Sequence, residues 1–128
     1  MDKISIKELL ESTFGDMFLF HPEFLIEYDE LIKESGEVGK INKLLVRRLY
    51  AIIELGDPDD GLPWLEHLKA YDNMYSLHIN TNTQNYRLLF SKSSNKKYFL
   101  HMFYERSGKK KSSYESHVPI AISRRDNN

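Results

Sequence analysis

The chain of 128 residues contains no cysteine. That absence removes disulfides, zinc–thiolate sites, iron–sulfur clusters and a thiol nucleophile together, and makes a reducing cytoplasm the expected compartment. No apolar run approaches the roughly 18 residues a bilayer span needs, and the start Met-Asp-Lys-Ile-Ser-Ile-Lys lacks a secretory signal pattern. No two of the histidines stand three to five residues apart, which with the missing thiols argues against a zinc site. Internal repeats and low-complexity stretches are also lacking. The expected protein is cytoplasmic, uses neither metal nor cofactor, and has no membrane partner.

What is present suits one ordinary core. Hydrophobic residues make up 41% of the chain and aromatics 12%, enough for a single domain spanning residues 1–128. The net charge of -1 hides a strong polarity, because residues 1–63 carry 14 acidic and 7 basic side chains while residues 64–128 carry 5 and 11. Such a division fits a second half that faces a polyanion, or two solvated faces that meet across the fold.

Hydrophobic spacing divides the chain in the same place. Ser5 and Glu8 have the form of a capping box, and Ile6, Leu9 and Leu10 follow at helical spacing until Gly15. Met17 to Phe20 reads as a short strand. Pro22 then opens a helix carrying Phe24, Tyr28, Leu31 and Ile32, stopped by Ser35-Gly36, and a third helix puts Ile41, Leu44, Leu45, Leu49, Ile52 and Ile53 on one face before Gly56. The connector Asp57 to Pro63 is rich in turn formers, and past it the period changes to two. Tyr75 to Ile79, Tyr86 to Phe90 and Lys97 to Tyr104 read as three antiparallel strands joined by hairpins at Asn80 to Gln84 and Ser91 to Asn95. A basic, serine-rich loop follows Ser107-Gly108, then a short helix over Val118 to Arg125 and an unstructured Asp126-Asn127-Asn128. The fold class is therefore α+β, with helices packed on an antiparallel meander.

Five short stretches carry a more specific likeness: Leu65-Glu66-His67-Leu68-Lys69, Met74-Tyr75-Ser76-Leu77-His78-Ile79, Tyr86-Arg87-Leu88-Leu89-Phe90, Phe99-Leu100-His101-Met102-Phe103 and Arg106-Ser107-Gly108-Lys109. In order and spacing, with Ile120-Ala121-Ile122-Ser123-Arg124 as a last element, they resemble the RelE/HigB family of toxin–antitoxin toxins, including its phage-encoded members. The likeness covers roughly residues 18 to 125 and leaves an amino-terminal extension of about 16 residues without a counterpart. His78 stands where the family usually has arginine, Lys109 to Tyr114 replace a threonine-proline ending, and His117 occupies the usual glutamate position. The resemblance implies a RelE-like fold and a ribosome-dependent, metal-free mRNA endoribonuclease. It also implies two kinds of partner, a separate antitoxin chain and the ribosome with its message. Alternatives of another class are a ParE-like protein that binds gyrase, and a phage-derived binding protein whose site has decayed.

Metal-free RNA cleavage needs a base for the 2′-hydroxyl, cations around the phosphorus and an acid for the departing 5′-oxygen. The catalytic candidates are Lys69, Arg87, His101, Lys109 and His78, with Lys110, Lys111, Arg106 and Arg124 as RNA-binding cations. Arg87 alternates with Tyr86 and Leu88, so it projects from the face opposite the core, where a guanidinium can grip two phosphate oxygens or pair with an acidic group. Lys69 reads as a phosphate cation or as an ordinary surface lysine. Lys109 matches the family lysine best, with Lys110 and Lys111 supplying salt-sensitive affinity. Strict alternation places His101 opposite Tyr98, Leu100 and Met102, as a hydrogen-bonded structural residue or an acid/base. His78, when protonated, stands in for the missing cation, and His117 is a third imidazole candidate. Tyr104 and Tyr114 are candidates for stacking on a base or for packing, and Trp64 is a packing anchor.

Overall fold

A computed structural model of the chain describes residues 6–56, 61–93, 96–106 and 108–127, apart from the side chains of residues 6 and 7. Ser5 of the expected capping box, Asp57 to Asp60 of the connector, Ser94 and Asn95 of the second hairpin, Ser107 and Asn128 lie outside the described residues. Helix α1 (Ile6–Phe14) buries Leu10 and Phe14 and leads into strand β1 (Phe18–Phe20). Helix α2 (Pro22–Ser35) begins on the proline, which has no N–H to lose in the first turn. Nδ1 of His21 accepts the Glu23 N–H at its start (3.1 Å), and Gly36 ends it in the left-handed region at φ 73°. Helix α3 (Val38–Glu54) starts three residues before the apolar stripe and buries Ile41, Leu45, Leu49 and Ile52 along one face.

The second half is sheet, as its period of two implies. Strands β2 (Leu65–His67), β3 (Tyr75–Asn80), β4 (Asn85–Ser93) and β5 (Lys96–Tyr104) pair antiparallel in sequence order. β1 joins the outer edge of β5 in parallel, so the five strands run β1-β5-β4-β3-β2. A three-residue apolar run carries no sign of its pairing partner, and this long-range pairing is not legible in the sequence.

Both sheet faces are covered. On one, Leu77, Ile79, Leu88, Phe90, Phe99 and Met102 pack beneath α1, α2 and α3 in the main core. On the other, Met74, Leu89, Leu100 and Phe103 lie under helix α4 (Lys110–Asp126), which presses Tyr114, Val118 and Ala121 onto them at one-face spacing. α4 corrects the expectation of a basic loop and a short helix. It runs 17 residues, takes Lys110 to His117 into its first two turns, and includes Asp126 of the expected tail. Pro119 sits on its exposed side, where a carbonyl left without its N–H partner can turn to solvent. Trp64 packs against the main core with the Arg48 guanidinium 5.5 Å from its ring centre.

A β-bulge breaks the expected alternation on β5. Leu89 faces His101, but Phe90 faces Phe99, so Leu100 is the extra residue. In consequence Leu100 and Met102, expected on one face, point to opposite clusters. The bulge also turns the strand just where β1 stops, since β1 covers β5 only over Lys97 to Phe99. Among the described residues no helix is long and apolar enough to cross a membrane.

Candidate functional site

Among the described residues the outer edge of β5 has no neighbouring strand beyond Phe99, and its backbone groups meet side chains from α2 and α4. Met102 N–H donates to Glu27 Oε1 (3.1 Å), and Arg124 Nη1 donates to the Leu100 carbonyl (2.8 Å). The same two side chains grip each other in a fork, Nη1 to Oε1 at 2.9 Å and Nη2 to Oε2 at 2.8 Å. His101 lies inside this frame, with Nδ1 2.9 Å from each Glu27 oxygen and Nε2 2.7 Å from Nδ1 of His117. Burial raises the Glu27 pKa, but the bonds from His101, Arg124 and the Met102 N–H outweigh it and draw the carboxyl down to about 2. Glu27 is thus a carboxylate at every ordinary pH.

His117 is half-buried and forms the boundary of an open groove. Its ring is parallel to that of Phe103 with centres 4.1 Å apart, which holds the imidazole plane. On the α2 side the groove is a depression of about 450 Å³ walled by Glu30, Leu31 and Glu34; on the α4 side it is one of about 470 Å³ lined by Lys109, Ser112, Ser113 and Ser116. His117, Arg106 and the exposed Tyr104 belong to both. Desolvation lowers the His117 pKa, with the Glu27 carboxylate opposing. An imidazole, a guanidinium and an ammonium therefore share one groove whose far wall is acidic.

The other expected site residues are distributed differently. Arg87 does leave the core face, but it is buried: Nη2 donates to Glu105 Oε2 at 2.7 Å, and Nη1 to Asn80, Asn85 and the Tyr86 carbonyl. It is a closed ion pair with no side presented to a phosphate. His78 lies beside Glu66 (3.2 Å) and the Tyr114 hydroxyl (3.4 Å), and its carbonyl accepts from Arg48. Desolvation, aided by Arg87, lowers its pKa to about 4. The ring is neutral at physiological pH and cannot replace a cation there. Tyr114 is buried, donating to Ser76 Oγ (2.8 Å), and is no stacking platform.

Lys69 is exposed at the wrong end of the sheet. It follows β2 where Leu68 bonds Met74, whereas Lys109 follows β5 beyond the Ile79 to Tyr86 end. Five residue steps along β3 separate these levels by about 17 Å, and Lys69 is not part of the groove lining that holds Lys109. Lys110 pairs with Glu66 (3.1 Å) while still exposed, and Lys111 is exposed. Arg124 is committed to Glu27 and the Leu100 carbonyl, which corrects its expected RNA-binding role. The structure thus brings His101, His117, Arg106 and Lys109 together and leaves Arg87, His78 and Lys69 outside.

Glu27 and Glu105 were not among the sequence candidates. Glu27 had a readable sign, since it lies three residues after Phe24 and four before Leu31, on the apolar side of an amphipathic helix. A carboxylate in that position needs a partner inside the fold. Among the described residues no group of three or more acidic or histidine side chains is arranged to hold a metal ion. Comparison of the chain with protein-family models, curated proteins and solved structures found no match.

Proposed function

We propose that the chain is the toxin of a two-protein module, an endoribonuclease that cleaves messenger RNA at the ribosome and is neutralised by a separate antitoxin chain. The observation that carries this reading is the groove at the open edge of β5, where His117, Arg106 and Lys109 line one depression with a carboxylate–histidine pair behind the imidazole. The reaction is transfer of the phosphoryl group to the neighbouring 2′-oxygen. The 2′-hydroxyl gives its proton to an imidazole, its oxygen bonds to phosphorus, and the bond from phosphorus to the 5′-oxygen breaks. Arg106 and Lys109 stabilise the charge that builds on the phosphoryl oxygens. Glu30 and Glu34 repel a phosphate backbone, so the RNA follows the α4 wall, past the exposed Lys110 and Lys111, with Tyr104 as a ring for an unpaired base.

A second reading keeps the fold and drops the chemistry: a binding protein of the gyrase-directed kind, or one whose site has decayed. It is favoured by Arg87, the strand arginine that the family resemblance assigns to phosphate, which is tied to Glu105. Toeprinting on translated mRNA after induction separates the two. Cuts made by the wild-type chain and lost in His117→Ala and Arg106→Ala variants of unchanged Tm support the nuclease. Growth arrest over intact message supports the binding protein and refutes the nuclease.

A further inference from the structure

The hydrogen bonds around His101 determine where the protons of both histidines lie. Nδ1 of His101 is 2.9 Å from both oxygens of Glu27, a carboxylate, and an unprotonated nitrogen there would set lone pair against lone pair. Arg124 Nη1 also lies 3.3 Å from Nδ1, but its two hydrogens are used by Glu27 Oε1 (2.9 Å) and the Leu100 carbonyl (2.8 Å). Nδ1 of His101 therefore carries the hydrogen. In the neutral ring its Nε2 is then an acceptor, and the contact of 2.7 Å makes Nδ1 of His117 the donor. His117 is left with its lone pair on Nε2, the nitrogen outside the chain, while the ring lines both depressions of the groove.

We propose that Glu27 and His101 are positioning residues that hold His117 in its Nδ1–H tautomer, so that Nε2 of His117 is the general base of the groove. This rests on the nuclease reading for the substrate but not for the tautomer. In the reaction the 2′-hydroxyl proton passes to Nε2, the resulting imidazolium is held through His101 by the Glu27 carboxylate, and the departing 5′-oxygen takes a proton from water. The imidazolium then returns its proton to solvent. Among the described residues the charged and titratable groups around His117 are His101 and Tyr104 from β5, Glu27, Glu30 and Glu34 from α2, Arg106 after β5, and Lys109 and Arg124 at either end of α4. Burial lowers the His117 pKa, which keeps the ring free to accept at neutral pH. The arrangement follows the general logic in which a carboxylate orients an imidazole base, with one histidine interposed.

The test reads the tautomer directly, from imidazole nitrogen shifts of ¹⁵N-histidine-labelled protein at pH 7, beside toeprinting of the same samples. His117 is expected as the Nδ1–H form in wild type and in His101→Gln, whose amide oxygen still accepts from Nδ1, and as a mixture in His101→Phe. Cleavage is expected to fall by roughly 100-fold or more in His101→Phe and by about 10-fold or less in His101→Gln. A wild-type His117 in the Nε2–H form, or a tautomer unmoved by His101→Phe, overturns the positioning chain even if RNA is cut. The expected tautomer without any cleavage overturns the nuclease reading and the role of base with it.

Discussion

The buried pair Arg87–Glu105 separates a structural from a chemical role, and a single substitution would confuse the two. Both side chains are less than a tenth exposed and meet through one short contact of 2.7 Å, while Arg87 Nε and Glu105 Oε1 have no partner among the described residues. Replacing Arg87 by Met keeps the apolar stem and leaves Glu105 as an uncompensated buried charge, at a cost of about 3–5 kcal/mol. The contact is single and not forked, which puts the expected loss near the lower figure. Against a total stability of ~5–15 kcal/mol for a domain of this size, that is a large fraction. The Tm should fall by roughly 10–15 °C. Removing both charges, as Arg87→Met with Glu105→Leu, ends the mismatch, and the double variant should return to within about 2 kcal/mol of wild type; what remains is the donor lost to Asn80, Asn85 and the Tyr86 carbonyl and the acceptor lost to Asn85 Nδ2. Urea denaturation at pH 7 followed by far-ultraviolet circular dichroism measures all four corners of the cycle. An Arg87→Met protein within about 1 kcal/mol of wild type would refute the reasoning. If the folded double variant still cuts RNA, Arg87 does not touch the phosphate, and inactivity of a single Arg87 variant reflects instability.

Three further outcomes follow from the same structure. Glu27 has its carboxyl drawn from 4.5 to about 2 in the folded state, so its contribution is fully present above pH 4.5 and is lost as pH falls toward 2; at about 1.4 kcal/mol per unit it amounts to about 3 kcal/mol. Glu27→Gln should flatten that part of a Tm-against-pH curve, and an unchanged acid limb would contradict the ion-paired role. His78 is lowered from 6.5 to about 4, so the unfolded chain binds its proton first and stability declines as pH drops from 6.5 toward 4; an imidazole proton titration showing His78 charged at pH 6 would refute this. Tyr114→Phe removes the donor to buried Ser76 Oγ and should cost about 1–2 kcal/mol in urea denaturation. No loss would mean that the hydroxyl does not pin α4 to the sheet.

The elements that could be read from the sequence are those whose signal is local. Pro22 and Gly36 bound α2 because a missing N–H and a left-handed φ act on single residues. The stripe from Ile41 to Ile52 shows α3 because burial on one face demands that spacing. α4 was only partly legible: its buried residues are just Tyr114, Val118 and Ala121, so the run from Lys110 to His117, polar but for Tyr114, resembles a loop until the sheet beneath it is known. β1 and the bulge at Leu100 depend on what lies beside them, and neither neighbour is near in sequence.

The site follows the same division, and the bulge explains why. On a regular strand His101 would share its direction with both Phe99 and Phe103; past the bulge it keeps that of Phe103 and of the cross-strand Arg87 and His78 and parts from Phe99. The extra residue at Leu100 takes β5 out of register just past the end of β1, where outer-edge backbone groups require a donor and an acceptor from elsewhere. Arg124 and Glu27 supply them, and a pair of side chains joined by a fork and each held by one backbone bond is also a rigid support for an imidazole. The need to satisfy one irregular strand edge thus assembles, from α2, β5 and α4, the polar chain that ends at His117. Sequence reasoning weighs residues by type and spacing. It finds His101 and His117, but it cannot see that a structural requirement of the strand edge brings them together.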